Sequence, residues 1–272
     1  MDPSLIEKNH YHNITGMHYN DSMKTDNTPR KKKKFDGLLV LAILLFVAGV
    51  ALLLVDPIRA YKRAKKAEEG LGVVEAQIAQ IQEAGSDSEE EPVVTFVVPK
   101  DANAIDGEEY DYFTDNEEDQ AAMSSMLEEE MNNMPDYVTL TAIGVLNIDS
   151  VGINIAVWDE ATVVSLRYGG GHYVDSVLPG EKGNCTILAH HMRRSDTMFH
   201  KLDQVQLDDE IKFTDVKGHT YTYVVDEIKI IHGYELEDNI IGDITDTRQI
   251  TLVTCSYTST EKMRLLVIGH IK

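Results

Sequence analysis

The C-terminal half of the sequence, residues 136–272, predicts an all-β domain built as a barrel or a sandwich. The residue pattern of the chain changes after Pro135. From there, short runs rich in β-branched residues alternate with breaks at Gly, Asn and Asp, which is the pattern of strands joined by turns. The runs are residues 138–148, 153–157, 185–189, 210–213, 221–231, 249–255 and 264–271. Residues 198–204 predict one or two helical turns among these strands.

Upstream, residues 37–55 predict a transmembrane helix. The run holds nineteen residues without a charge. As a helix at about 1.5 Å per residue it spans roughly the 30 Å hydrocarbon core of a bilayer. A cleaved signal peptide is the alternative, but the apolar run is too long for one and starts far from Met1. We therefore expect an uncleaved anchor behind a flexible polar tail, residues 1–36.

The charges that flank this run barely decide its orientation. Six basic residues lie close to the run on its N-terminal side and five on its C-terminal side. The positive-inside rule needs a clearer difference than this. We expect the N-terminal tail in the cytoplasm, mainly because of the chemistry that the motifs of the β domain indicate.

Residues 56–135 predict a juxtamembrane helix followed by an acidic linker. Apolar residues first recur at spacings of three and four, the period of a helix face. These residues are Leu71, Val74, Ile78 and Ile81. Serine and acidic residues break the pattern at 85–91, and residues 92–118 show no sustained period beyond the short run 93–98, so they are interpreted as an extended acidic linker. A second helix is predicted over residues 118–134, before Pro135.

The formal net charge of −21 is concentrated in this linker. Residues 82–136 hold eighteen Asp and Glu residues against one basic residue, Lys100. The large negative net charge therefore comes from this acidic tract and not from the β domain. A broad nucleic-acid-binding surface is disfavoured, because phosphate binding needs basic residues on a folded surface.

The last two predicted strands bring Cys255 and Arg264 together. Cys255 ends the run 249–255, and alternation puts it on one face with Thr251 and Val253. If the two strands pair as a hairpin, Arg264 returns to within about 5 Å of Cys255. A guanidinium there can favour the thiolate or hold an oxyanion. The simpler alternative is a buried core cysteine beside a surface arginine.

Histidines can supply the proton transfers that a cysteine nucleophile needs. His190 and His191 follow the predicted strand 185–189, and a histidine at that strand end can face a cysteine at the end of a neighbouring strand. A solvated or core role for either histidine stays open. The other cysteine, Cys185, lies inside that strand and is a poor nucleophile. A disulfide between Cys185 and Cys255 is possible but not expected, since a domain of this size can build a core without one.

Several motifs together resemble the sortase family. Thr251-Leu252-Val253-Thr254-Cys255 is similar to the sortase signature Thr-Leu-x-Thr-Cys. The histidine and arginine strands of the family are matched by Ile187-Leu188-Ala189-His190 and by Arg264-Leu265-Leu266-Val267 with Gly269. Further matches are His191-Met192, Met198-Phe199, Leu202, residues 144–148, Gly169-Gly170-Gly171-His172, Ser176, Pro179-Gly180 and Lys182-Gly183-Asn184. The resemblance covers residues 140–271.

The resemblance implies an eight-stranded sortase β-barrel with short helices, and a cysteine transpeptidase that uses no cofactor and no metal. Cys255 is then the nucleophile. It forms a thioacyl enzyme by cleaving an LPxTG-like sorting signal between Thr and Gly, with His190 as general acid and base. Arg264 steadies the oxyanion, and Thr251 and Thr254 bind substrate. The implied partners are secreted proteins with a C-terminal sorting signal and an amine acceptor, either a peptidoglycan precursor or a pilin lysine.

The sequence departs from the family pattern where Ala189 replaces the glycine before the histidine. Two histidines follow this alanine. His190 fits the strand register, whereas His191 fits the spacing to Met198, and we take His190 as the catalytic one. The arginine strand is similar to that of pilin polymerases and the histidine segment to that of haem-linked sortases, so the subclass stays open.

Two alternatives to a transpeptidase remain. One is a non-catalytic, membrane-tethered binding module on a sortase-like barrel, and the other is a hydrolytic cysteine peptidase that shares the thioacyl step. The acidic segment 101–135, which carries Tyr110, Tyr112 and Phe113, is either a lid over the active site or a spacer through the cell wall. Residues 136–272 are the expected catalytic domain.

Overall fold

The computed structural model describes residues 37–84, 92–100, 117–192, 197–240, 246–256 and 263–271. The tail at 1–36, the Ser/acidic break at 85–91 and the aromatic cluster of Tyr110, Tyr112 and Phe113 lie outside the described residues. Among the described residues, those up to Val50 and those from Ala51 onward form two separate units. The second unit contains the β domain.

Nine strands form one sheet in the described part of the chain. They are β1 Val94–Pro99, β2 Tyr137–Ile148, β3 Ile153–Trp158, β4 Gly170–His172, β5 Gly183–Leu188, β6 Glu210–Asp215, β7 Thr220–His232, β8 Arg248–Ser256 and β9 Met263–His270. The order is β1-β2-β3-β4-β5-β8-β9-β7-β6, and β6 pairs back onto β2. That last pairing closes β2 to β9 into a ring, so the predicted eight-stranded barrel is confirmed.

Three α-helices accompany these strands in the described part of the chain. They are α1 Gly37–Ala84, α2 Glu117–Asn133 and the short α3 Leu236–Ile240. Single 3₁₀ turns occur at Ser165–Arg167, Leu202–Gln204 and Gly233–Glu235. The turn at Leu202–Gln204 lies within the stretch where a short helical piece is predicted.

All seven predicted strands are present, and two others are not predicted. β4 is three residues long, Gly-Gly-His, and is too short to show an alternating pattern. β1 corrects the interpretation of residues 92–118 as an extended linker. Its side chains alternate between buried and exposed, and it pairs with the first half of β2. Acidic neighbours on both sides hide this strand signal in the sequence.

The interior of the barrel is a close-packed apolar core. Leu146, Ile187, Phe213 and Leu252 are fully buried there, together with the Phe199 side chain from the segment after β5. Strand alternation explains the arrangement, because every second residue of a half-buried strand points to one face. The opposite face of β5, β8 and β9 is therefore free to build a site.

α1 continues through Asp56 and Pro57, although the predicted transmembrane helix ends at residue 55. The helix runs 48 residues and contains Pro57 in its interior, where a proline removes one backbone hydrogen bond but does not have to end the helix. Residues 37–54 of α1 are long and apolar enough to cross a membrane, with a mean hydropathy of 3.0.

The second half of α1 packs on the barrel, although the predicted juxtamembrane helix was expected to leave the membrane as a stalk. Val74 and Ile78 are buried in a cluster with Phe96 of β1 and Trp158 of β3. A β-carbon on Gly70 would lie 3.1 Å from the Phe96 ring, so this glycine permits the close approach. Residues of the predicted stalk therefore belong to the same folded unit as the barrel.

Candidate active site

Cys255 lies near the end of β8, directly opposite Arg264 of β9. Directly opposed residues of an antiparallel pair point to the same face of the sheet, with β-carbons about 5 Å apart. The thiol is partly exposed, whereas Arg264 is only 1% exposed. The hairpin pairing that the sequence predicts for these two residues is thus present in the structure.

Arg264 is held between two neighbouring strands. On its other side it pairs with Ile231 of β7, and its Nη1 donates a hydrogen bond to the Met263 carbonyl at 3.1 Å. A charge this deeply buried is screened little by water. Electrostatic interactions of this guanidinium with groups close to it are therefore stronger than they would be in water.

An apolar cluster surrounds the thiol on the outer face of the barrel. Its buried members are Leu166, Leu188, Leu236, Ile240, Val253 and Leu266, and Cys255 packs against them. Leu236 and Ile240 are the first and last residues of α3. Because α3 lies over the strands here, one side of the site is walled by a short helix.

His190 lies two residues beyond the end of β5. The parallel register pairs Leu188 with Val253, and the Ala189 amide donates to the Val253 carbonyl at 3.2 Å. Counting the same register forward brings His190 level with Cys255. Since Ala189 belongs to the interior core, alternation turns His190 to the outer face, where Cys255 lies.

His191 has a different position. Its Nδ1 lies 2.9 Å from the Cys255 carbonyl and its Nε2 lies 3.1 Å from the His200 carbonyl. Carbonyl oxygens only accept, so each contact needs an N–H on that ring nitrogen. The neutral ring makes one of the two bonds at a time and the charged ring makes both. His191 thereby joins the end of β8 to the segment at Met198, with which it also forms a β-bridge.

The two threonines of the signature are fully buried. Thr254 Oγ1 donates to the Ala189 carbonyl at 2.7 Å, which links β8 to the residue before the histidines. Thr251 Oγ1 donates to Asn184 Oδ1 at 2.8 Å. Both hydroxyls are thus engaged within the protein, and substrate binding by either stays a prediction.

Cys185 is placed where the sequence argument puts it. It is 1% exposed in the barrel interior, and both cysteines are free thiols. Burial raises the pKa of the Cys185 thiol well above its ordinary range, with a smaller contribution from Glu181. This thiol is therefore protonated and inaccessible, in contrast to Cys255.

The His172 side chain stabilises the turn that follows β4. Its Nε2 lies 3.0 Å from both the Val177 carbonyl and Ser176 Oγ. Ser176 Oγ in turn accepts from the Thr186 amide. Among the described residues, no group of three or more His, Cys, Asp or Glu side chains is arranged to hold a metal ion.

Sequence reasoning missed the polar residues beneath α3. Asn184 and Thr186 lie on β5, and their side chains bond the backbone of Ile240. The available signal was a pair of polar residues two apart within a buried strand, since buried polar groups are usually hydrogen-bonded. Tyr173 lies nearby, and burial raises its pKa, with smaller contributions from Asp175 and Glu237.

Comparison with known proteins gives the following similarities. The family model described as "Sortase domain" matches residues 146–272. Sortase A of Streptococcus agalactiae is 29% identical over 121 residues, which is 43% of this chain and 48% of that protein. Sortase D of Bacillus subtilis is 25% identical over 131 residues, which is 47% of this chain and 63% of that protein. The matched regions span about half the length of the first relative and under two thirds of the second.

Among solved structures, sortase C of Clostridium perfringens, with the C-terminal cell wall sorting motif, is 26% identical to this chain. The alignment covers 48% of this chain and 70% of that one, with a TM-score of 0.43.

Proposed function

We propose that the chain is a sortase, a membrane-anchored cysteine transpeptidase whose nucleophile is Cys255; the match of residues 146–272 to the sortase domain supports this. The observation that carries this proposal is the cross-strand pairing of the partly exposed Cys255 with the buried Arg264. A thiol beside a cation, on an apolar and partly covered surface, is the environment that favours a reactive thiolate.

In the first half-reaction, the Cys255 sulfur attacks the carbonyl carbon of the Thr–Gly bond in an LPxTG-like sorting signal. A carbon–sulfur bond forms and the carbonyl oxygen becomes an oxyanion, which the Arg264 guanidinium stabilises. His190 receives the thiol proton and gives it to the leaving glycine nitrogen. The carbon–nitrogen bond breaks, and a thioacyl enzyme remains on Cys255.

In the second half-reaction, an amine attacks the thioester carbon. His190 takes the amine proton, the new amide bond forms, and the carbon–sulfur bond breaks to return the Cys255 thiolate. The acceptor in this proposal is an amine of a peptidoglycan precursor or a pilin lysine. The first anchors a surface protein to the cell wall and the second extends a pilus.

The contacts of the two histidines support His190 as the proton carrier. His191 is engaged with the backbone carbonyls of Cys255 and His200, so proton transfer by its ring would break a structural bond. Counting the β5–β8 register two residues beyond its last pair brings His190 level with Cys255, and in this proposal the His190 ring faces the thiol. We assign His191 the task of holding the end of β8 in place.

The apolar cluster around Cys255 supports a sorting signal as the substrate. In this proposal the Leu and Pro of such a signal bury apolar area against the partly exposed members of this cluster, such as Tyr173 and Ile231, at about 25 cal/mol per Å². The hydroxyls of Thr251 and Thr254 point to partners inside the protein, so in this proposal they shape the groove from beneath.

The apolar first part of α1 supports a membrane anchor. Residues 37–54 are the candidate span, and the proposal places the N-terminal side in the cytoplasm and the barrel outside, where secreted substrates are found. The acidic segment 101–135 keeps both proposed roles, as a lid or as a spacer. Its aromatic residues lie outside the described part of the chain.

A transfer assay tests this function. The full chain in detergent is incubated with a fluorescent LPxTG peptide and with or without an added amine. We expect cleavage after Thr and an amine-linked product that increases with amine concentration. Cys185→Ala is the matched control and should retain activity. Cleavage that ignores the amine would establish a hydrolytic peptidase, and binding without cleavage would establish a non-catalytic module.

A further inference from the structure

A buried polar network lies beneath α3, on the outer face of the barrel. Asn184 Nδ2 donates to the Ile240 carbonyl at 3.0 Å, and Thr186 Oγ1 approaches the same oxygen at 3.3 Å. On the other side, Asn184 Oδ1 accepts from Thr251 Oγ1 at 2.8 Å. The three side chains are between 0% and 6% exposed, so water does not compete for these bonds.

The network fixes the orientation of the Asn184 amide. Because the Thr251 hydroxyl donates to the oxygen, the amide nitrogen must face the Ile240 carbonyl. That carbonyl is at the last residue of α3, where the backbone of a helix leaves acceptors without an intrahelical partner. Asn184 and Thr186 supply the missing donors.

The tethered helix is one wall of the site. Leu236 and Ile240 of α3 are fully buried in the cluster against which Cys255 packs. A helix of this length is marginal by itself, so its position depends on its tertiary contacts. The apolar contacts hold α3 against the strands, and the directional hydrogen bonds to the Ile240 carbonyl fix the position of its C-terminal end.

We propose that Thr251, Asn184 and Thr186 are positioning residues that hold α3 over the active-site face and thereby set recognition of the sorting signal. The inference rests on the proposed function for its effect on substrate, but the tether itself is a property of the free protein. Thr251 acts through Asn184 on the Ile240 carbonyl. It does not touch the substrate, because its hydroxyl is buried and already engaged.

Thr251→Val tests the tether, since it keeps the shape of the side chain and removes the hydroxyl. Without that donor, Asn184 Oδ1 is left buried without its partner, and the amide no longer has a single favoured orientation. Thr251→Ser restores the hydroxyl. Thr186→Val is a second variant, which removes the longer bond to Ile240 and the hydroxyl that accepts from Asn184 Nδ2 at 3.2 Å but leaves the direct bond from Asn184 to Ile240. Thr214→Val, on the exposed Thr214–Thr220 pair of β6, is the matched control.

The first readout is hydrogen exchange of the α3 amides in the full chain, which needs no activity. We expect exchange at Leu236–Ile240 to become about tenfold faster in Thr251→Val, given the cost of an unpaired buried acceptor. Thr186→Val should show a smaller increase, and Thr251→Ser and Thr214→Val should match wild type. Unchanged exchange in both valine variants would overturn the tether.

The second readout is the kinetics of the transfer assay. We expect Thr251→Val to raise KM for the sorting-signal peptide about five- to tenfold with kcat changed less than about twofold, because uniform binding is lost. Rescue by Thr251→Ser is part of the expected result. A loss confined to kcat would contradict the positioning role. Should wild type show no transfer, the proposed function fails while the exchange result still decides the tether.

Discussion

Cys255 of β8 and Arg264 of β9 are direct cross-strand partners, and the arginine of the pair is almost fully buried. This relationship places a buried, positively charged side chain on the strand beside the thiol. The backbone of Arg264 is held by pairing with both neighbouring strands. Preorganised charge of this kind usually supplies the largest part of transition-state stabilisation.

Removal of the guanidinium tests that role. We expect Arg264→Ala to lower kcat for peptide cleavage by about 10²–10³-fold, the range for losing one oxyanion donor. Arg264→Lys should recover only part of the rate, since a lysine keeps the charge but lacks the planar fork. Arg248→Ala, at the exposed start of β8, is the control and should leave kcat unchanged. An Arg264→Ala enzyme with wild-type kcat and a normal melting temperature would contradict the assignment.

The two adjacent histidines should respond differently to substitution. We expect His190→Ala to lower kcat by about 10²–10⁴-fold through loss of proton transfer, with little change in stability. His191→Ala should lower the free energy of unfolding by about 1–3 kcal/mol, because it leaves the Cys255 and His200 carbonyls with one donor fewer.

Parallel measurements of kcat and urea unfolding on both histidine variants separate these effects. The assignment is wrong if His191→Ala abolishes turnover in a stably folded protein while His190→Ala remains active.

The packing of α1 on the barrel predicts a stability effect far from the active site. Ile78 is 6% exposed in the cluster with Phe96 and Trp158. We expect Ile78→Ala to lower the free energy of unfolding by about 2–5 kcal/mol, the cost of truncating a buried isoleucine. Gln80→Ala, on the exposed side of the same helix, should change it by less than about 0.5 kcal/mol. Equal effects in the two variants would show that α1 stands off from the barrel in solution.

A buried thiol and a buried phenol in the barrel predict a loss of stability at high pH. Burial raises the pKa of Cys185 and of Tyr223 above their ordinary ranges. The folded state therefore keeps protons that the unfolded chain releases above the ordinary thiol pKa of about 8.5 and phenol pKa of about 10. Unfolding is favoured as pH rises through this window, whereas below it the contribution to stability is complete.

Urea unfolding between pH 7 and 10.5 measures this dependence. We expect the free energy of unfolding to decrease from about pH 8.5 upward, and Cys185→Ala to flatten the first part of the decrease. Should Cys185→Ala keep the wild-type slope over the same window, Cys185 is not the group responsible.

The sequence predicts much of the barrel because its strands carry their own signals. Runs such as 249–255 are β-branched and bounded by turns, and the hairpin argument then sets Cys255 opposite Arg264. β1 was not predicted although its residues alternate, because it gains stability only by pairing with β2 about forty residues later. The continuation of α1 through Pro57 was likewise not readable from a local breaker signal.

From the sequence, candidate site residues can be proposed only where the chemistry of a single residue type points to them. Cys255 and Arg264 satisfy that condition, and so does a histidine after β5. The separate roles of His190 and His191 depend on which carbonyls lie near each ring, and that is set by the segment returning at Met198. The tether of Ile240 to Asn184 joins residues 56 positions apart and leaves no local pattern.

The central claim is that Cys255 carries the acyl group. Mass spectrometry of the full chain, incubated in detergent with an LPxTG-like peptide and no added amine, tests it most directly. We expect a peptide acyl group, ending at its threonine, on the fragment that contains Cys255, with release by hydroxylamine. Cys185→Ala should retain this adduct and Cys255→Ala should lose it. An adduct that persists in Cys255→Ala, or cleavage by that variant, would contradict the account.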